Sequence, residues 1–276
     1  STGMIHDVEV SEGIAYLACM QNGLKIIDVT NPEQPEELAT IETEDKAFGV
    51  EIAGDLLFVA EYEAGLRIYN IEDPNNIAEL GSLDTPGRAK DVAVVGEFAY
   101  LVDGADGFRV IDISDPANPA ETGSLRMQAD AWCVTVEDNV AYVGGYHQNL
   151  YLIDVSDPEN PQEISSVWGA GHPLGIAIQD GFAYTSNWCN ENGSNVSGLS
   201  IINVQDPENP EYIGITRTEG QSHDIVVSGE FAYITDGERG LKVFDISDHE
   251  NIEQIAFYNT PGMACRMTMD DGLIYL

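Results

Sequence analysis

Short runs of alternating apolar and polar residues follow one another along the whole chain, and the runs come in sets of four. The first, His6-Asp7-Val8-Glu9-Val10, has the period of two that marks a strand with one buried face. Ser11-Glu12-Gly13 turns the chain into a second run, Ile14-Ala15-Tyr16-Leu17-Ala18. Gly23 opens a third, Leu24-Lys25-Ile26-Ile27-Asp28-Val29. Asn31-Pro32-Glu33-Gln34-Pro35 must then be a loop, because proline has no donor for a ladder and a fixed φ. The fourth run, around Glu37 to Ile41, is the least apolar, as suits an edge strand. No segment shows a period near 3.6, so the pattern predicts an all-β chain.

The set of four repeats. Aromatic residues recur at Tyr16, Phe58, Tyr100, Tyr142, Tyr184, Tyr233 and Tyr275, 42 residues apart except for one step of 49. The column Val8, Val50, Val92, Val134, Ile176, Ile225, Met267 keeps the same spacing, and so does Asp28, Asn70, Asp112, Asp154, Asn203, Asp245. One seven-residue insertion within Ser186 to Gly198 accounts for the single irregular step. Four strands per repeat predict a β-propeller of four-stranded blades, one domain over 1–276. The units are 4–45, 46–87, 88–129, 130–171, 172–220, 221–262 and a partial 263–276. Seven blades with the last incomplete is the expectation, and six blades with a C-terminal extension is the alternative. The Asp/Asn column is expected to cap the turn into the proline loop through Asx-type hydrogen bonds.

Leu24 to Val29, Phe108 to Pro116 and Leu150 to Pro158 resemble LVIVD repeats, as does the Asp-Pro-x-Asn-Pro run at Asp115, Asp157 and Asp206. The resemblance extends over essentially the whole chain. Tyr69-Asn70 in unit two and His249 in unit six depart from the pattern. It implies a propeller of bacterial or archaeal exported or surface-attached proteins, and so an extracellular or cell-surface location, with no particular activity.

Charge changes the picture of partners. Asp and Glu number 48 against 11 Lys and Arg, a formal net charge of −37. A nucleic acid is excluded as partner, because phosphates need a basic surface. Membrane insertion is excluded too, since no apolar run nears the roughly 20 residues a spanning helix needs. Carboxylates spread so evenly point to a salt-rich, halophilic setting, or to Ca2+ or another divalent cation as screening ion. Cys19, Cys133, Cys189 and Cys265 have no CxxC spacing, so a zinc or redox motif is not expected, and a disulfide stays open.

Residues shared by every unit serve the fold, so chemistry is sought where units differ. Just before the first strand of each unit the residues vary. Lys46, Phe48, Arg88, Lys90, Asp130, Trp132, His172 and His223 stand there and form the candidate ligand-binding rim. The concentration of cations in so acidic a chain favours an anionic ligand. His6-Asp7 and His223-Asp224, with Asp91, form the candidate metal set of a competing reading, an enzyme on the channel axis. The insertion is a polar surface loop with two glycosylation sequons, at Asn192 and Asn195, and Trp188 there is suited to stack on a sugar. The reading favoured is a non-catalytic binding or scaffold module. Its partner would be a protein or carbohydrate at the cell surface, or an anionic small molecule.

Overall fold

A computed structural model describes residues 4–146, 149–168, 171–188 and 197–276. The first blade is built from β1 (Asp7–Ser11), β2 (Ile14–Ala18), β3 (Leu24–Asp28) and β4 (Glu36–Ile41), antiparallel and in sequence order. Five further four-stranded sheets repeat this order, beginning at Gly49, Asp91, Ala131, Pro173 and Asp224. The fold is a β-propeller with six complete blades, the count of the alternative expectation. After Gly262 the chain adds a two-stranded sheet, Thr268–Asp270 paired with Leu273–Tyr275.

The contacts divide the described residues into two compact units. The first holds blades one to three, the two-stranded sheet and residues 157–161, and the second holds the rest of 132–267. Within the first unit, the first strands of blades one, two and three pack beside one another, and the two-stranded sheet packs against β1. Within the second, the first strands of blades five and six do the same.

The core lies between sheets. Leu24 and Ile26 of β3 meet Leu57, Val59 and Tyr69 of blade two, and Leu66 and Ile68 of blade two meet Leu101 and Ile111 of blade three. Blade four meets blade five, and blade five meets blade six, through the same positions. The aromatic column is buried from Tyr16 to Tyr184, which explains its regular spacing.

The Asp/Asn column caps its turn in all six units. A side-chain Oδ1 accepts the backbone N–H two residues on, at 2.9 Å from Asp28 to Thr30, and likewise from Asn70, Asp112, Asp154, Asn203 and Asp245. A second such turn follows at Asp73, Asp115, Asp157, Asp206 and Asp248. These exposed carboxylates hold loops in shape.

The proline loops of blades three and five lie against the fourth strand of the preceding blade. A Cβ on Gly81 would stand 2.3 Å from the Pro116 carbonyl oxygen, and Ser165 Oγ donates to the Pro207 carbonyl at 2.7 Å. His249, in the proline position of unit six, puts its ring 3.9 Å from Phe182 and its Nε2 2.8 Å from the Tyr184 hydroxyl. In every blade the register slips between the third and fourth strands at one repeat position, Ile26/Ile27 in blade one and Val243/Phe244 in blade six. The fourth strand thus carries a built-in bulge, which increases its twist and blunts it as an edge.

Candidate functional site

In the first unit the variable positions gather around one ring. Lys46 Nζ lies 4.5 Å from the centroid of Tyr62, and the Arg88 guanidinium lies 5.2 Å from it. Phe48 stacks on the same ring at 4.9 Å with planes 18° apart, and His6 leans on Phe48 at 4.1 Å. Electron-rich ring faces attract cations, so the stack brings together two like charges that would otherwise repel. Arg88 keeps only a 3.8 Å approach to Glu63, both side chains being mostly exposed. Lys90 behaves differently: its side chain is 5% exposed and bonds Asp130 at 2.6 Å. Burial pulls the Lys90 ammonium down, against the pull of Asp130. Beside Arg88 opens a cleft of about 420 Å³, lined also by Glu63, Asp106, Asp130 and the 85–87 loop.

Buried polar side chains beneath this rim hold its loops. Asp103, fully buried, accepts from Thr85 Oγ1 at 2.8 Å, from the Gly87 N–H at 3.0 Å and from Arg109 Nε at 2.6 Å. Arg109 also reaches Glu121 at 2.7 Å. In blade two, Glu61 accepts from the Tyr69 hydroxyl at 2.9 Å and from the Glu44 N–H at 2.9 Å, which gives the Tyr69 departure its purpose. In the second unit Asp236 accepts from the Gly220 N–H and Ser222 Oγ, both at 3.1 Å. The same repeat position supplies Glu61, Asp103 and Asp236, so these three blades anchor the loop into the first strand in one way.

The carboxylates of the candidate metal set clasp backbone. Asp7 accepts its own Val8 N–H at 3.0 Å and the Val50 N–H of the next blade at 2.9 Å. Asp224 likewise accepts from Ile225 and Met267, each at 2.9 Å, and Asp91 accepts from Val92 at 3.0 Å. Asp224 also lies 3.8 Å from Arg266. Burial raises its carboxyl despite that cation and both N–H donors. His6 Nδ1 stands 3.1 Å from the Phe48 carbonyl oxygen. Burial first, and Arg266 second, hold His223 down at about 4, so its ring is neutral at neutral pH. Among the described residues no group of three or more His, Cys, Asp or Glu is placed to hold a metal ion. Cys19 and Cys265 are free thiols, and the buried Cys133 places its Sγ 3.5 Å from the Pro173 carbonyl oxygen.

Close packing of the Asp224 clasp explains a glycine. A Cβ on Gly175 would stand 2.6 Å from Asp224 Oδ1 and 3.0 Å from Ser186 Oγ. Gly175→Ala is expected to cost about 1–3 kcal/mol by overpacking, whereas Gly214→Ala, with nothing within 4 Å, should stay within about 0.5 kcal/mol. Urea denaturation of both variants measures the difference, and equal midpoints would show that the clasp yields freely.

In the second unit the variable residues form an aromatic group. The buried His172 ring meets Trp132 edge-on at 5.9 Å, Tyr146 edge-on at 4.6 Å and Trp188 at 6.0 Å. The Trp188 backbone N–H donates to the His172 carbonyl at 3.0 Å. Asn192 and Asn195 lie outside the described residues, as does Cys189.

Tyr62 and Tyr146 were not among the residues singled out from the sequence, whereas Trp188 was, as a residue suited to stack on a sugar. The three share one repeat position, just after the second strand, whose other occupants are Met20, Gly104 and Gly237. This position bridges to the segment ahead of the next blade's first strand, as in Tyr62 to Ala89 and Gly237 to Ala264. Its variability was a readable signal: a third unmatched column supplies the ring beside Lys46 and Arg88 in the first unit and two members of the aromatic group in the second.

Six four-stranded antiparallel sheets, one per repeat, define a β-propeller. The family model for the LVIVD repeat matches residues 2–43, 45–85, 86–126, 128–168 and 219–260, and the chain belongs to that family. The complete unit left unmatched, between 168 and 219, carries the insertion. Solved structures share the fold at low identity. A chain of the mitotic checkpoint complex has a TM-score of 0.77 and 11% identity over 95% of this chain and 80% of that one. A functionally unknown protein from Desulfotomaculum acetoxidans DSM 771 scores 0.76 at 15% identity, over 96% and 90%. The computationally designed Ika8 protein scores 0.70 at 11%, over 99% and 93%. At such identities the likeness is one of fold alone. No curated protein matches the chain.

Proposed function

We propose that this chain is a non-catalytic binding module of an exported or cell-surface protein, and that the rim of its first unit takes an acidic sugar. The convergence of Lys46 and Arg88 on the Tyr62 ring carries this reading. In a chain of net charge −37 these two cations supply an anchor for a carboxylate. The Phe48–Tyr62 stack offers a flat apolar face for a sugar ring. Glu63, Asp106 and Asp130 in the adjoining cleft are acceptors for hydroxyl groups. The inner-strand carboxylates are engaged with backbone N–H groups, which favours binding over axial chemistry.

Titration calorimetry with oligogalacturonate at low ionic strength tests the reading. Saturable binding is expected, weakened about tenfold by Arg88→Ala and by Lys46→Ala, since each removes a charge-assisted contact of about 1.5 kcal/mol. The neutral galactose oligomer should bind more weakly, and added salt should reduce uronate affinity. Absence of uronate binding, or an Arg88→Ala variant that binds as well as the parent, would overturn it.

A further inference from the structure

The first unit contains one sheet unlike any blade. Thr268–Asp270 pairs with Leu273–Tyr275, and among the described residues no strand pairs with the other edge of Leu273–Tyr275. In each of the six blades that edge is occupied by a third strand, and the second-strand aromatic faces an aliphatic residue across it. Tyr16 faces Ile26, Phe58 faces Ile68 and Tyr100 faces Val110.

Blade one shows the consequence. The third-strand residue directed at the preceding blade is buried in blades two, three, five and six: Tyr69 is 3% exposed, and Ile111, Ile202 and Phe244 are fully buried. Its counterpart in blade one, Ile27, is partly exposed. Elsewhere the cover comes from two aliphatic residues two apart on the preceding third strand. Leu24 and Ile26 cover Tyr69, Leu66 and Ile68 cover Ile111, and Leu199 and Ile201 cover Phe244. Beside Ile27 there is instead a groove of about 320 Å³, walled by Val8, Leu17, Ile27, Val29 and the segment 273–276. Pro32 and Pro35 close one side, and none of the lining residues is charged. Leu273 and Leu276 are 45% and 49% exposed at its edge. An uncharged groove alongside an open strand edge is the geometry of strand addition, where backbone hydrogen bonds and alternate side chains act together.

We propose that this groove and edge take up a β-hairpin with the third- and fourth-strand pattern of the repeat. The incoming third strand pairs with Leu273–Tyr275. Its two alternating aliphatic residues enter the groove and cover Ile27, as Leu24 and Ile26 cover Tyr69. Its proline-type loop and fourth strand then complete a four-stranded blade.

A synthetic peptide with the sequence of residues 240–258, the third and fourth strands of unit six, is the probe. Added in trans to the full chain, it should bind saturably by fluorescence anisotropy and raise the melting temperature. A peptide with Leu241→Asp and Val243→Asp should not bind. Ile27→Glu in the chain, placed on a position that already tolerates partial exposure, should weaken binding about tenfold or more while the circular dichroism spectrum is unchanged. No saturable binding by the unsubstituted peptide overturns the proposal, as does binding indifferent to Ile27→Glu. Sedimentation of the chain alone supplies the other decisive outcome. A dimer dissociated by Ile27→Glu would assign the groove to a second copy and overturn the hairpin, whereas a monomer that binds the peptide supports it.

Discussion

Replacing Asp103 by alanine is expected to lower the unfolding free energy by about 3–5 kcal/mol, the cost of removing one partner from a buried ion pair. Asp103 is wholly buried, and its three acceptor contacts serve Arg109, Thr85 and Gly87. Without it the Arg109 side chain, 9% exposed, keeps only Glu121, and the loop that carries Arg88 loses two anchors. Asp103→Asn should cost less, because the amide oxygen still accepts from the loop. Asp103→Ala combined with Arg109→Met should recover much of the loss, since the uncompensated cation is then gone. Urea denaturation of the four proteins reads these values directly. A loss below about 1 kcal/mol for Asp103→Ala would mean that water reaches Arg109 and that the pair is not the anchor described. The same variant should bind uronate poorly, because Arg88 follows Gly87.

The second large effect is one of pH. Burial, then the neighbouring charges of Asp91 and Asp7, push Glu51 up to about 8, with the Val94 N–H pulling the other way. The folded state therefore holds a proton that the unfolded chain releases near the ordinary carboxyl value. Stability from this group is full below about 4.5 and falls by about 1.4 kcal/mol per pH unit as pH rises towards 8. His223, held down at about 4, acts in the opposite sense, and its contribution is lost as pH falls from about 6.5 towards 4. Glu51→Gln should reduce the fall with rising pH, to which the raised Asp224 carboxyl also contributes, leave the acid limb in place and make the protein more stable at pH 8 by several kcal/mol. Denaturation curves at each pH from 4 to 9 give the two profiles, and parallel profiles above pH 5 would show that Glu51 ionises as an exposed carboxyl does.

Much of the fold was legible because each unit repeats the same local physics. Alternation marked the strands, the proline loops separated them, and the Asp/Asn column was readable as turn caps because Asn replaces Asp there without loss of the bond. The candidate site was legible only in part. Lys46, Phe48 and Arg88 do meet, but through Tyr62, which lies just after the second strand of blade two and was not singled out. Lys90 stood in the same variable segment, yet its charge is engaged by Asp130, 40 residues away. Asp7, Asp91 and Asp224 looked like ligands because an acidic residue on an inner strand is chemically able to be one. The contacts that hold Asp7 and Asp224 to Val50 and Met267 come from the next unit, and no spacing within one unit reveals them.

By itself, then, the sequence determined the all-β class, the four-stranded repeat, its turns and the place of the single insertion. Each of these depends on contacts within a few residues or on a period that the residues display. Only the tertiary structure decided which cations remain beside a ring and which are buried against a carboxylate. It alone decided which polar groups carry the rim of the first unit from below, and that an uncharged groove lies beside the edge of the final sheet. These outcomes depend on packing between strands and between blades, where groups distant in sequence compete for the same donors, acceptors and space.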